Sequence, residues 1–413
     1  MKLLVVGINY APDIIGIAKY TTEMCEWYAA RGHEVQMVTA LPYYPEWVVP
    51  SEYRRWRYHG EMRNSVKILR TPIYVPTVPT GVRRLLHLLS FAVLSFPVLI
   101  MRAILFRPDV VIAIAPALSS APVARFAAAL CGAKSWIHIQ DFEVDAAFDL
   151  GLLNNRMLRT LALMVEKWVL LSFARVSTIS PQMLKLLQRK GCLPSRTVEL
   201  RNWVDPSIIC PEVDGECSER RNRFRDMLDM GKQDILVLYA GNISHKQGIE
   251  IVVDVARMHE GRSDIKYLVV GDGPGKESLM KSAAALTNVF FLSLQPIEYL
   301  NELLNAADIH LLPQLPGAAD LVLPSKLTGM FASGRPVIAT AEPGTGLADE
   351  VRERGIVVRT GDVAELGKAI LDLAGDSQRR NQLGSMSRLR AVEVFSKERI
   401  LQRMEADLTT MIT

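Results

Sequence analysis

From end to end the chain alternates short apolar runs of four to seven residues with segments of helical period, and no other feature limits its fold so tightly. Runs such as Lys2-Leu-Leu-Val-Val-Gly-Ile8 and Ile235-Leu-Val-Leu-Tyr-Ala240 read as buried strands, and the segments between them as covering helices. The pattern is that of an α/β protein with two doubly wound parallel sheets. In the first half it predicts strands at 2–8, 34–39, 110–114, 134–139, 176–179 and 197–200. Helices are expected at 17–31, 120–131, 155–173 and 181–190, the last begun by Ser180 as N-cap and Pro181 in its first turn. The rhythm breaks over 205–232, a Pro-, Gly- and charge-rich linker. It then resumes with strands at 235–240, 266–270, 289–292, 308–312, 336–340 and 355–358. The helices of this half fall at 248–259, 275–286, 297–306, 325–332 and 362–374. Two domains of roughly 200 residues suit the length of 413. The expected division is 1–204, linker 205–232, 233–395, and a C-terminal helix over 396–413 packing back on the first domain.

Composition narrows the class. Hydrophobic residues make up 49% against 22% charged, enough for an ample core. Five cysteines, at 25, 131, 192, 210 and 217, form no CxxC pair, which argues against a disulfide framework or zinc site and for a reducing compartment. Met1 leads straight into a strand, so no signal peptide is expected. The net charge of +4 is uneven: residues 1–200 hold 23 Lys and Arg against 14 Asp and Glu. A basic first half suits an anionic membrane surface or a phosphate-bearing acceptor, and nothing in it resembles the aromatic–basic pattern of a nucleic-acid binder.

Several loops carry candidate chemistry. Gly16 closes the first connection before a helix, where backbone could approach a ligand phosphate, although GxGxxG is absent and a dinucleotide is unsupported. Residues 41–60 are rich in aromatics and proline and end in Arg54, Arg55, Trp56 and Arg57. Aromatic faces stack on sugars and arginines hold phosphate, so the segment is either a binding loop or a packed structural one. His138 ends a strand and is followed by Asp141, Glu143 and Asp145, a grouping able to accept a proton from a sugar hydroxyl or to hold a divalent ion.

Residues 85–106 are the most apolar, led by Arg83 and Arg84. The uninterrupted core from Leu88 to Met101 is short of a bilayer span and is broken by Pro97. It reads as a half-inserted or surface-lying helix with snorkelling arginines, or as a core helix beneath the first sheet. In the second half, Gly241 to Gly248 and Gly271 to Gly275 are glycine-framed loops between a strand and a helix. Pro313 to Thr340 runs from a buried strand through a broken loop to Ser325 and Lys326 at a helix start, an arrangement suited to an anion.

Taken as an ordered set these segments resemble the GT-B glycosyltransferases, specifically the retaining family 4, and most closely its bacterial colanic-acid-type fucosyltransferases. The matching stretches are the Gly-Ile-Asn-Tyr opening, Arg31-Gly-His-Glu-Val, the PYYP loop, and His138-Ile-Gln-Asp with Glu-Val-Asp-Ala. In the second half they are Arg201-Asn-Trp-Val-Asp, Ala240-Gly-Asn, Gly271-Asp-Gly-Pro, Pro324-Ser-Lys-Leu and Ala332-Ser-Gly-Arg-Pro-Val. Each is weak, but in order they span essentially the whole chain.

The resemblance implies a nucleotide sugar (GDP- or UDP-linked, GDP-fucose by the nearest likeness) bound mainly to the C-terminal domain. It implies a lipid-linked or exopolysaccharide acceptor on the N-terminal domain, transfer between them with retention, and a peripheral place on the cytoplasmic side of the inner membrane. The diphosphate is met by backbone amides and basic side chains, so neither cofactor nor metal is expected. On this basis Gly16, Asn242, Lys246, Gly271, Asp272, Asp320, Ser325 and Lys326 are expected at the donor. His138 or Asp141 is expected at the chemistry, and Arg54, Arg55, Trp56, Arg57, Arg83 and Arg84 at the acceptor or membrane.

The chain departs from the family where it matters. Two family glutamates eight positions apart fall on Leu321 and Gly329, and the usual basic pair reads Asn242 and Gln247, with Lys246 adjacent. More of the donor contact therefore falls to Lys246, Lys326 and Asp320. The alternatives are a GT-B nucleotide-sugar epimerase, or a catalytically dead membrane-peripheral scaffold.

Overall fold

A computed structural model describes residues 1–13, 16–53, 56–78, 80–116, 118–142, 156–211, 222–244, 247–315 and 323–413. The chain divides into two compact units, Met1–Arg201 with Leu401–Thr413, and Asn202–Ile400.

The first unit runs β1 (Lys2–Val6), α1 (Gly16–Ala30), β2 (Glu34–Ala40), β3 (His59–Arg63), β4 (Val66–Thr71), α2 (Gly81–Phe106), β5 (Val110–Ala115), α3 (Ala121–Cys131), β6 (Lys134–Ile139), α4 (Arg156–Ser172), β7 (Arg175–Thr178), α5 (Pro181–Arg189) and β8 (Thr197–Glu199). Its sheet has the order β3-β4-β2-β1-β5-β6-β7-β8 and is parallel except where β3 pairs with β4. β1 and β5 are fully wrapped, with Leu3, Leu4, Val6, Val110, Val111 and Ile112 at 0% exposure, as covering layers on both faces require. The expected N-cap at Ser180 forms: its hydroxyl accepts from the Met183 N–H at 3.1 Å.

The second unit contains α6 (Arg223–Met227), β9 (Ile235–Ala240), α7 (Glu250–Met258), β10 (Ile265–Val270), α8 (Lys276–Ser282), β11 (Val289–Leu292), α9 (Leu300–Ala306), β12 (Ile309–Leu312), α10 (Lys326–Ala332), β13 (Val337–Thr340), α11 (Gly346–Val351), β14 (Gly355–Val358), α12 (Val363–Gly375) and α13 (Ser377–Val394). The last helix, α14 (Lys397–Ile412), starts in this unit and ends in the first. There Glu405 pairs with His33 at 2.6 Å and with Arg31. All six strands are parallel in the order β11-β10-β9-β12-β13-β14. Successive residues of β9 serve opposite layers. Leu236 and Leu238 pack with Leu268, Leu312 and Phe331, while Ile235, Val237 and Tyr239 pack with Val253, Tyr267 and Ile370. Asp362 caps α12 by accepting from the Glu365 N–H at 2.8 Å.

Two expectations need correction. The β3–β4 hairpin occupies residues read as loop or left unassigned. β3 is polar and mostly exposed because it is an edge strand with nothing to bury, and Asn64 and Ser65 make its turn with positive φ. Pro97 does not break the apolar segment, which is one helix of 26 residues, long and apolar enough by composition to cross a membrane, with a third of its most apolar window buried. Proline removes one donor and leaves the Val93 carbonyl without its helical partner. That turn is on the exposed side of α2, where Val93 and Phe96 face outward, and the helix continues through it.

Candidate functional site

In the second unit the strand sequence reverses direction between β9 and β12, since β9 through β11 extend one way and β12 through β14 the other. The carboxyl ends of strands at such a switch point diverge and leave room for a ligand. Three of the segments singled out by sequence meet there.

The first two are the glycine loops after β9 and β10, which are zipped together by backbone. Gly241 N–H donates to Val270 O at 2.9 Å, Ile243 N–H to Asp272 O at 3.0 Å, and Gly275 N–H to Ile243 O at 3.0 Å. Glycine is compulsory here: a Cβ on Gly271 would lie 1.9 Å from Gly241 O, and one on Gly273 2.2 Å from Ile243 O, with φ of 152° and 151°. The third is Lys326, the first residue of α10. Its Nζ lies 3.1 Å from the Tyr239 hydroxyl and 4.2 Å from the centroid of the Tyr239 ring, and the hydroxyl in turn donates to Asn242 O at 2.7 Å. A Cβ on Gly241 would sit 3.3 Å from Nζ, so the ammonium is laid directly against the glycine loop.

Lys326 forms no ion pair with any described residue. Burial alone pushes its pKa down to about 8. A desolvated ammonium over a neutral ring and hydroxyl lacks the anion that would offset its desolvation. The other residues expected at the donor differ. Asn242 and Ser325 are exposed at the same rim. The Asp272 carboxylate is committed to structure, accepting from Lys276 Nζ at 2.7 Å and the Leu294 N–H at 2.8 Å, and the Lys276 hydrogen bond holds its pKa low. Gly329, one of the two positions where a family glutamate is expected, is partly buried. Lys246, Asp320 and Leu321 lie outside the described residues. Tyr239 was not foreseen. Its signal was a polar-tipped ring at the end of an otherwise aliphatic strand.

In the first unit, His138 on β6 is 3% exposed, and burial pushes its pKa down to about 3. Its Nδ1 lies 2.9 Å from the Ser177 hydroxyl and its Nε2 3.0 Å from the Gln140 side-chain amide. Trp136 Nε1–H donates to the same Ser177 oxygen at 2.7 Å. The imidazole is therefore neutral and bonded on both nitrogens. Asp141, three residues on, is exposed, whereas Glu143 and Asp145 lie outside the described residues; among the described residues the partners of His138 are Ser177 and Gln140. No cluster of three His, Cys, Asp or Glu able to hold a metal occurs among the described residues.

Gly16 opens α1, where a Cβ would meet only Tyr20, at 3.9 Å. The same connection holds an unforeseen buried carboxylate, Asp13. It accepts from Asn9 Nδ2 at 2.9 Å and from the N–H groups of Tyr43 and Tyr44 at 3.2 and 3.3 Å, tying the first loop to the aromatic one. Burial raises the Asp13 pKa, with these hydrogen bonds opposing. Trp56, Arg57, Arg83 and Arg84 are exposed, while Arg54 and Arg55 lie outside the described residues.

Two doubly wound units with largely parallel sheets, the second with a cation over a glycine loop at its switch point, have the architecture of the GT-B glycosyltransferases. The fold recurs in sucrose-phosphate synthase from Thermosynechococcus elongatus (TM-score 0.73, 19% identity, 100% of this chain and 99% of that one). It recurs also in Anabaena Alr3699/HepE in complex with UDP and glucose (TM-score 0.67, 15% identity, 99% and 100%). The family model "Glycosyl transferase 4-like domain" matches residues 16–203, and "Glycosyl transferases group 1" matches 234–376. The colanic acid biosynthesis glycosyl transferase WcaI of Escherichia coli (strain K12) is 42% identical over 354 residues, 84% of this chain and 85% of that protein. The chain belongs to this glycosyltransferase family and is an enzyme of that class.

Proposed function

We propose that the chain transfers a sugar from a nucleotide-sugar donor, held at the β9–β12 switch point, to a lipid-linked or exopolysaccharide oligosaccharide at the cytoplasmic face of the inner membrane. The observation that carries this reading is Lys326, a half-buried ammonium with no described counter-ion, set against a loop whose glycines bring backbone to the surface. A nucleoside diphosphate supplies the missing anion. As the glycosidic bond breaks, negative charge grows on the leaving diphosphate, and an ammonium fixed in a site of low polarity stabilises that charge more than it stabilises the intact donor. No metal is needed in this scheme.

The likeness to WcaI favours an exopolysaccharide acceptor and, by the resemblance of the motifs, GDP-fucose as donor with retention at the anomeric carbon. On the acceptor side, Asp141 is the exposed acid able to take the hydroxyl proton. The neutral His138, held by Ser177 and Gln140, keeps the end of β6 in place beside it.

The test is a thermal-shift screen of UDP, GDP, TDP and CMP and their sugars, then turnover with the donor that shifts most. Lys326→Ala should abolish transfer, and the anomer formed reads the stereochemistry by NMR. Unchanged turnover in Lys326→Ala sinks the assignment, and isomerised donor without acceptor favours an epimerase.

A further inference from the structure

Lys326 can meet an anion only while α10 holds it against the glycine loop. α10 has seven residues, Lys326–Ala332, too few for its own hydrogen bonds to fix its place, so that place depends on what grips its ends. The end away from Lys326 is gripped from two sides. From the sheet, His310 of β12 donates through Nε2–H to the Ser333 hydroxyl at 3.0 Å, and that hydroxyl gives its own proton to Met330 O at 2.7 Å. From α13, Arg388 Nη1–H donates to Ala332 O, the last carbonyl of α10, at 2.9 Å.

Arg388 does more than close this helix. Nη1 also donates to Ile209 O at 2.8 Å, and Nη2 to Pro206 O at 2.7 Å. One planar guanidinium thus joins the end of α10 to residues near the start of the second unit through three backbone carbonyls. The backbone around it is packed without slack. A Cβ on Gly384 of α13 would lie 2.1 Å from Gly334 O, and one on Gly334 would lie 2.8 Å from Pro211 Cγ. Gly334, with φ of 69°, makes the left-handed turn that ends α10. α13, the end of α10 and residues 206–211 therefore form one block about the guanidinium. The length of α10 makes this grip a lever. At 1.5 Å per residue the helix spans about 10 Å, so a tilt of about 6° at Ala332 moves Lys326 by about 1 Å. A misplacement of about 1 Å costs a reacting site about a hundredfold.

We propose that Arg388 is a positioning residue of the donor site: by tying Ala332 O to the Pro206 and Ile209 carbonyls it sets where Lys326 stands at the other end of α10. It acts through α10, from the end opposite the donor. This rests on the reading of Lys326 as the partner of a nucleoside diphosphate, and goes beyond it by assigning the group that places that lysine. The role needs the arginine fork, whose two terminal nitrogens serve three acceptors on two segments. A lysine carries one ammonium and keeps only part of the set, and an alanine keeps none.

The test is calorimetric titration of the full chain with UDP and GDP at a series of pH values, below the melting temperature of every variant. Wild-type affinity should fall above about pH 8, as Lys326 loses its proton. Arg388→Ala should bind about tenfold more weakly at neutral pH, and its fall should move to higher pH, because a displaced Lys326 is better hydrated. Arg388→Lys should lie between the two. Ser387→Ala is the control on the neighbouring position of α13, since the Ser387 hydroxyl bonds Arg354 O at 2.9 Å and not α10. It should lower the melting temperature and keep the wild-type affinity and pH profile. Wild-type affinity and profile in Arg388→Ala, with binding lost in Lys326→Ala, overturns the inference and leaves the donor reading standing. An equal loss in Ser387→Ala also overturns it, because a general softening of the unit then suffices. Should Arg388→Ala fail to fold, Arg388→Lys decides on the same readouts. Wild-type affinity in Lys326→Ala removes the donor reading and overturns both.

Discussion

Replacing Lys326 by Met should make the ligand-free protein more stable while weakening nucleotide binding. Burial lowers the Lys326 pKa from 10.5 to about 8. At about 1.4 kcal/mol per pKa unit, holding the ammonium in this site costs the folded state about 3 kcal/mol at neutral pH. Methionine keeps the aliphatic stem against Gly241 and the Tyr239 ring, and it omits the charge. Part of the gain is returned, because the Tyr239 hydroxyl loses its neighbour, so a net increase of about 1–3 kcal/mol is expected. For a unit of this size that is roughly 3–10 °C in Tm. The sign in pH follows from linkage. The folded value lies below the unfolded one, so both states are charged below pH 8 and the cost is complete there. It is relieved as pH rises from about 8 towards 10.5. Wild type should therefore gain on Lys326→Met over that range, whereas the variant shows no such rise from this group. Urea denaturation at pH 7 and pH 10 measures both. If the variant is less stable than wild type at pH 7, Lys326 is a paired structural lysine and the argument for an anion site fails.

Gly271→Ala should cost about 3 kcal/mol or more, or prevent folding, since its Cβ would enter Gly241 O; a chemical denaturation midpoint within error of wild type contradicts the interlocked loops. Glu405→Gln should lower stability by about 1–2 kcal/mol at pH 7. Burial raises the Glu405 pKa, but hydrogen bonds from His33 and Arg31 outweigh it and leave the value low. The contribution is thus full above the unfolded glutamate range, and the variant and wild type should converge as pH falls towards 3. His138 should stay neutral throughout the working range, so its ring proton signals should not titrate by NMR between pH 5 and 8, and the pH–rate profile should carry no limb from it. A titration near pH 6.5 would show that the pocket around Ser177 is open to water.

Much of the fold was legible because parallel strands are buried on both faces and leave continuous apolar runs. β9 and β12 are such runs, and the caps at Ser180 and Asp362 lie where short side chains precede helices. The β3–β4 hairpin was not legible, because an edge strand such as His59–Arg63 buries little and carries no apolar signature. Pro97 reads as a breaker because no local pattern shows which side of α2 it faces, and on the exposed side its missing donor is tolerated. At the donor site, local sequence gave the glycine loops and Lys326 because loop chemistry is written in consecutive residues. The partner that sets the Lys326 environment, Tyr239, is 87 positions away. Likewise the acids next to His138 in sequence drew attention, while its actual partner Ser177 comes from the neighbouring strand, 39 residues on. Contacts across a sheet depend on register and strand order, and no local pattern encodes them.

The central claim is that Lys326 receives the diphosphate of a nucleotide sugar. Calorimetric titration of the preferred nucleoside diphosphate at pH 8, repeated in two buffers of different ionisation enthalpy, counts the protons taken up on binding. With the free pKa at about 8 and the ammonium fully charged against the diphosphate, wild type should take up about half a proton and Lys326→Met none. Tight binding with no proton uptake in wild type, or with the same uptake in the variant, would contradict the account.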